Sequence, residues 1–170
     1  NRTVAGVPFD KRTYKTFQSI EWLVGELNDN YKEKWRGFLN VLNDRYPGYT
    51  LLINATYRTY LRSIQLKVIN SDNASAGSSP HNYAFAVDMN IKDPKGVVYR
   101  KPEKSKWEKS GIPKIAVEEF GMRWGGNFSN YLDCVHFDVS RATSKVKSNA
   151  AADNKGLPRK QWYTKNTSPT

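Results

Sequence analysis

Only two histidines occur in the chain, His81 and His136, and both stand among acids. The first lies in Ser79-Pro80-His81-Asn82-Tyr83-Ala84-Phe85-Ala86-Val87-Asp88 and the second in Asp133-Cys134-Val135-His136-Phe137-Asp138. Two imidazoles and one carboxylate are the donor set of a three-ligand zinc site that keeps a fourth position for water. An acid three residues before a ligand can sit beside that water as a proton acceptor. A lone histidine is more often a hydrogen-bonded packing residue than a ligand, but here both histidines share the pattern. Asp133 could instead cap a turn, and Asp138 is the competing carboxylate, read as a solvated or salt-bridged strand residue in a structural place behind the ligands. The single cysteine, Cys134, excludes an internal disulfide and any multi-cysteine zinc site. On an extended strand it would share a face with His136, as a small packed residue or a metal ligand rather than a nucleophile.

These residues need elements to position them. Phe85, Val87, Met89 and Ile91 alternate with Ala86, Asp88 and Asn90, which predicts a strand with Asp88 on its polar side. A second alternating strand, Cys134 to Val139, would turn Val135, Phe137 and Val139 inward and leave His136 and Asp138 on the polar face. Before them, Phe17, Ile20, Leu23, Val24 and Leu27, then Trp35, Phe38, Leu39, Leu42 and Tyr46, recur at helical spacing until Pro47-Gly48. Tyr49 to Thr56 reads as a strand. A helix through Leu61, Ile64, Gln65 and Val68 follows. Asp93-Pro94-Lys95-Gly96 reads as a hairpin tip in a basic stretch from Lys92 to Trp107. Ile112 to Phe120 reads as a helix with Pro113 in its first turn, ended by Gly121. Trp124-Gly125-Gly126-Asn127 is a turn. The fold class that results is α+β: one domain with a small central antiparallel sheet and flanking helices. An N-terminal arm (1–15) would precede the domain (16–140), and a basic C-terminal tail (141–170), anchored by Trp162 and Tyr163, would follow it.

At 170 residues with 38% hydrophobic content the chain can enclose a real core. Its 27 Lys and Arg against 16 Asp and Glu give a net charge of +11, which suits an anionic partner such as a nucleic acid, an anionic lipid or an acidic wall polymer. No apolar run is long enough for a membrane span, and the N-terminus lacks the apolar core of a signal peptide. Aromatics interleaved with Lys and Arg, as in a nucleic-acid module, are not recognisable.

The motifs resemble the zinc D-alanyl-D-alanine carboxypeptidases and L-alanyl-D-glutamate endopeptidases that include phage endolysins. That family's signature, S-x-H-x-x-G-x-A-x-D followed by W-G-G and then acid-x-x-H, is met in order by Ser79, His81, Ala86, Asp88, Trp124-Gly125-Gly126, Asp133 and His136. The resemblance implies one zinc ion held by His81, Asp88 and His136, with Asp133 as catalytic base. It further implies that Arg58, in Tyr57-Arg58-Thr59, polarises the scissile carbonyl or holds a substrate carboxylate, and that Ser79, Tyr83 and Trp124 help to bind substrate. Ala84 replaces the signature glycine, so a positive φ there would strain the turn. Asn127 replaces the acid that some relatives carry after Trp-Gly-Gly.

Two functions follow as expectations. One is a zinc metallopeptidase that cuts an L-Ala-D-Glu or D-Ala-D-Ala bond in peptidoglycan stem peptides. It would work as a monomeric domain in the bacterial wall or periplasm, from a phage lytic enzyme or a virion component, with anionic wall polymers met by its basic surface. The alternative is a non-catalytic wall-binding module on the same fold.

Overall fold

A computed structural model describes residues 2–4, 7–9, 13–17, 21–58, 60–74 and 77–141, so Thr59, Trp162, Tyr163 and nearly all of the tail lie outside the described residues. Strands β1 (Arg2–Val4) and β2 (Val7–Phe9) pair as a small antiparallel hairpin within the expected arm. The central sheet holds β3 (Lys15–Thr16), β4 (Thr50–Ala55), β5 (Ala86–Lys92), β6 (Val98–Tyr99), β7 (Arg123–Trp124) and β8 (His136–Asp138). Its order is β3-β4-β5-β8-β7, and β6 pairs with the far end of β5. Every pairing is antiparallel. The helices are α1 (Glu21–Gly25), α2 (Lys32–Arg45), α3 (Tyr60–Ile69), α4 (Lys104–Ser110) and α5 (Ile112–Lys114). The domain is thus α+β, as the alternation and helical spacings require.

β5 organises the molecule because its two faces do different work. Val87, Met89 and Ile91 are buried on one face and join Leu51, Ile53 and Phe137 in the main core. That layer packs against Leu23, Val24 and Leu27 from the first helical stretch, Trp35, Phe38, Leu39 and Leu42 of α2, and Trp107 and Ile112 of the later helices. The Phe137 ring lies 5.9 Å from Phe38 and 5.8 Å from Trp107, so one strand residue is clamped by helices from both ends of the chain. Fully burying each such aromatic stabilises the fold by roughly 2–3 kcal/mol. The opposite face carries Asp88, and the register sets it directly across from His136.

Several expectations change. Lys104 to Ser110 is helical although its sequence is mostly polar: Trp107 is its one buried residue, and the indole Nε1 donates to Arg100 O at 2.9 Å. A single anchoring aromatic gives no period to read. In α3, which forms where the sequence reads as helix, Ile64 and Val68 are 44% and 83% exposed while Ser63 is buried. The helix turns Ser63 inward to accept a hydrogen bond from Asn82 Nδ2 at 2.9 Å. The expected helix from Ile112 to Phe120 starts as α5 and widens into a π-helix at Ile115–Glu119. Finally, the second alternating strand is only three residues long. Cys134 and Val135 form a turn before it and pack into the main core, so Cys134 is a small packed residue whose burial pushes its thiol pKa up.

Candidate metal centre

His81 comes from a one-turn 3-10 helix, Pro80–Tyr83, that the local sequence specifies closely. Pro80 supplies the φ of the first helical position, and Ser79 Oγ caps the turn by accepting from His81 N at 3.2 Å. Asn82 then ties the turn to its surroundings. Its Oδ1 accepts from Gly77 N and Ser79 N, and its Nδ2 donates to Arg58 O and Ser63 Oγ. Ala84 ends the turn at φ 57°, the only positive φ of a non-glycine residue among the described residues. The conformation that the missing glycine would favour is therefore kept, at a steric cost of about 1–2 kcal/mol.

Asp88 and His136 reach the same place from paired strands. His81 Nε2 lies 3.1 Å and His136 Nδ1 3.0 Å from one oxygen, Asp88 Oδ1. One donor atom from each of the three residues falls within 4.8 Å of the others. The remaining ring nitrogens fix the chemistry. Thr56 O, presented just past a register shift in β4, can only accept, so His81 Nδ1 carries the proton in the 2.7 Å bond between them. With that proton on Nδ1, the neutral ring turns the lone pair of Nε2 toward the cluster. Nε2 is buried without a hydrogen-bond partner, facing a carboxylate oxygen that is also electron-rich. A cation lying between these atoms would satisfy both, and the donor set of two imidazoles and one carboxylate is one that zinc takes. The residues present therefore fit the metal.

His136 is held differently. Its Nε2 donates to Asp138 Oδ2 at 2.7 Å, and Asp138 is fully buried and gripped by Arg123 through Nε at 2.8 Å and Nη2 at 2.6 Å. A carboxylate or carbonyl behind each ligating histidine is the usual way to fix the tautomer and aim the ring. Burial disfavours a charged ring at His136, but the Asp138 and Asp88 carboxylates outweigh it and raise the pKa to about 9. At Asp88 burial works upward, yet the two histidines beside it carry the carboxyl well below its ordinary range.

Asp133 sits at the edge of this cluster. Burial first, and the negative charge of Asp88 second, raise its pKa, and no described side chain bonds its carboxylate. The Trp124-Gly125-Gly126 turn aims it. Asp133 N donates to Gly125 O at 3.1 Å, and Trp124 Nε1 donates to Cys134 O at 2.8 Å. A Cβ on Gly125 would lie 2.0 Å from Asp133 O, so only glycine lets this backbone approach. Asp133 O in turn accepts from His136 N at 2.9 Å, linking the acid to the ligand three residues on. Arg58 is pinned beside His81 through its own N–H, which donates to His81 O at 2.9 Å.

The three residues expected to help bind substrate are all buried. Ser79 is spent on the cap, Tyr83 OH donates to Gly77 O, and the Trp124 indole is spent on Cys134. Their polar atoms shape the ligand turns instead of facing solvent. Thr56 and Arg123 were not singled out from the sequence. The pairing of Arg123 with Asp138 is a register partnership across β7 and β8, which alternation along one strand does not reveal.

Comparison with known proteins agrees with the motifs. Residues 72–139 match a family model described as D-alanyl-D-alanine carboxypeptidase, and this segment contains His81, Asp88, Asp133 and His136. Among solved structures, the chain is similar to the L-Ala D-Glu endopeptidase ChiX of Serratia marcescens, with 20% identity and a TM-score of 0.50 over 71% of this chain and 85% of that one. At that identity the likeness is one of fold.

Proposed function

Because residues 72–139 match the D-alanyl-D-alanine carboxypeptidase family, we propose that this chain is a zinc-dependent peptidase of bacterial peptidoglycan, hydrolysing an amide bond in the stem peptides. The observation that carries the reading is the buried, unpartnered His81 Nε2, left as the free ring nitrogen when Nδ1–H donates to Thr56 O, and facing Asp88 Oδ1 with His136 Nδ1 on the other side. Zinc bound there supplies a Lewis acid that brings the pKa of water toward ~7 and polarises a carbonyl. Asp133, with its raised pKa and unshared carboxylate, takes the proton of the attacking water and returns it to the nitrogen of the leaving amine. Arg58 offers its guanidinium fork to the scissile oxygen as charge gathers on it, or to a carboxylate of the substrate.

The matched relatives favour small chiral residues beside a carboxylate: the family description names D-alanyl-D-alanine and the structural neighbour L-Ala D-Glu. The net charge of +11 would draw the enzyme to an acidic wall, and none of the described helices is long and apolar enough to cross a membrane. A phage lytic or tail-associated enzyme acting on the wall is the setting we favour. The test pairs elemental analysis with mass spectrometry of products from purified sacculi. One zinc per chain and a new stem-peptide terminus are expected, and both should be abolished by chelation. Sacculi left intact by the zinc-loaded protein, or cut equally well after chelation, would overturn the reading.

A further inference from the structure

The zinc reading, on which this inference rests, gives Asp138 the orienting of His136 but leaves Arg123 and Phe128 without a task, yet all three close a circuit around His136. Asp138 Oδ2 receives His136 Nε2 at 2.7 Å and Arg123 Nη2 at 2.6 Å, while Oδ1 receives Arg123 Nε at 2.8 Å. The Arg123 guanidinium lies 5.3 Å from the centre of the Phe128 ring, and that ring lies 5.5 Å from His136. The guanidinium thus bonds the carboxylate at its edge and covers an aromatic face, so its position is set from two directions.

We propose that Arg123 is a positioning residue that keeps Asp138 on the outer nitrogen of His136 and out of the metal's coordination shell. Two carboxylates flank His136, one at each ring nitrogen, and a divalent cation would draw both. Asp88 is free to move onto the cation, because histidines are its only partners in the cluster. Asp138 is not, because Arg123 Nε and Nη2 each hold one of its two oxygens. With Asp138 fixed, His136 keeps its proton on Nε2 and presents Nδ1. The ligand count stays at three protein groups, and one position remains open for water. Without Arg123, Asp138 is a fully buried carboxylate with two of its three side-chain bonds gone, and a cation in the site would attract it.

The experiment compares Arg123→Gln, Arg123→Lys, Asp138→Asn and the Arg123→Gln/Asp138→Asn double variant, each first checked by circular dichroism and thermal melting in the metal-free form. Zinc affinity is measured by competition with a chromophoric chelator, and coordination number by the visible spectrum of the cobalt-substituted protein. Arg123→Gln should shift cobalt from four- toward five-coordinate and lower activity by about 10- to 100-fold. Arg123→Lys should rescue only part of this, since lysine lacks the fork. The double variant should return the spectrum to four-coordinate, because the intruding carboxylate is gone. A merely structural role would lower the melting temperature and leave the cobalt spectrum as in the wild type. That spectrum in a folded Arg123→Gln overturns the proposal, as does a double variant that stays five-coordinate. Wild-type protein that binds neither metal overturns the zinc reading and this one together, whereas an unchanged spectrum in a variant that binds cobalt overturns this one alone.

Discussion

The two histidines are held by opposite means. His81 belongs to a turn tied by neutral bonds: a backbone carbonyl takes its Nδ1–H, a serine caps it, and Asn82 gathers four neighbouring groups. His136 stands on a strand between two carboxylates and leans on a buried ion pair. Neutral bonds are completed by folding and change little with pH. Charged partners respond to whatever lies between them. One side of the site is therefore built before any metal arrives, while the other adjusts when the metal replaces a proton on Nδ1.

The largest effects should come from removing either anchor. His81→Ala and His136→Ala should each bring zinc from about one ion per chain to near zero by elemental analysis, since two remaining ligands rarely hold zinc against water. Retention of zinc by one variant alone would show that the two sides are unequal as ligands as well as in construction. Asp133→Asn should lower turnover by ~10²- to 10⁴-fold while zinc content and melting temperature stay as in the wild type. Lost metal in that variant would make Asp133 part of the charged side, not a base beside it.

Stability sharpens the contrast further. Asn82→Ala orphans several buried groups at the neutral turn and should cost roughly 4 kcal/mol in denaturant unfolding. The loss should be equal at pH 6 and pH 9; one that varied with pH would contradict the neutrality of that side. The charged side should behave otherwise. In metal-free protein the folded pKa of His136, about 9, lies above its unfolded value of 6.5. The stability it contributes is therefore complete below pH 6.5 and disappears as pH rises through 9, at most about 3 kcal/mol. Zinc reverses the sign, because it must displace the Nδ1 proton: its affinity should weaken as pH falls below 9, read by chelator competition across that range. The smallest effect is expected at Ala84→Gly. Relief of about 1–2 kcal/mol of backbone strain is offset by glycine's roughly 0.5–1 kcal/mol entropic penalty and a lost buried methyl of about 0.8 kcal/mol. Unfolding should move by less than about 1 kcal/mol, and a larger gain would mean that the turn stores more strain than its φ implies.

What could be read from the sequence divides along the same physical lines. Residues with a local signature were legible: the alternation from Phe85 to Ile91 put Asp88 on the polar face, and the order of His81, Asp88, Asp133 and His136 grouped residues that the fold gathers into one cluster. Features that depend on partners distant in sequence were not. Arg123 and Asp138 are 15 residues apart and meet only because β7 and β8 pair in one register. The inward contact of α3 is a serine hydroxyl, which hydrophobic spacing cannot register. Ser79, Tyr83 and Trp124 carry polar atoms that suit a ligand, but whether such atoms meet substrate or backbone depends on burial, which sequence pattern leaves open.

The backbone contact between Gly125 and Asp133 also limits how this protein can be altered. With a carbonyl oxygen 2.0 Å from where a side chain would begin, position 125 has no room for any other residue unless the turn bearing Asp133 moves. A library randomised over residues 124–127 and selected for wall cleavage should return glycine alone at position 125, with variety surviving at the exposed Asn127. Engineering of specificity should therefore start from the exposed loop that follows, at Ser129 and Asn130, and leave the double glycine untouched.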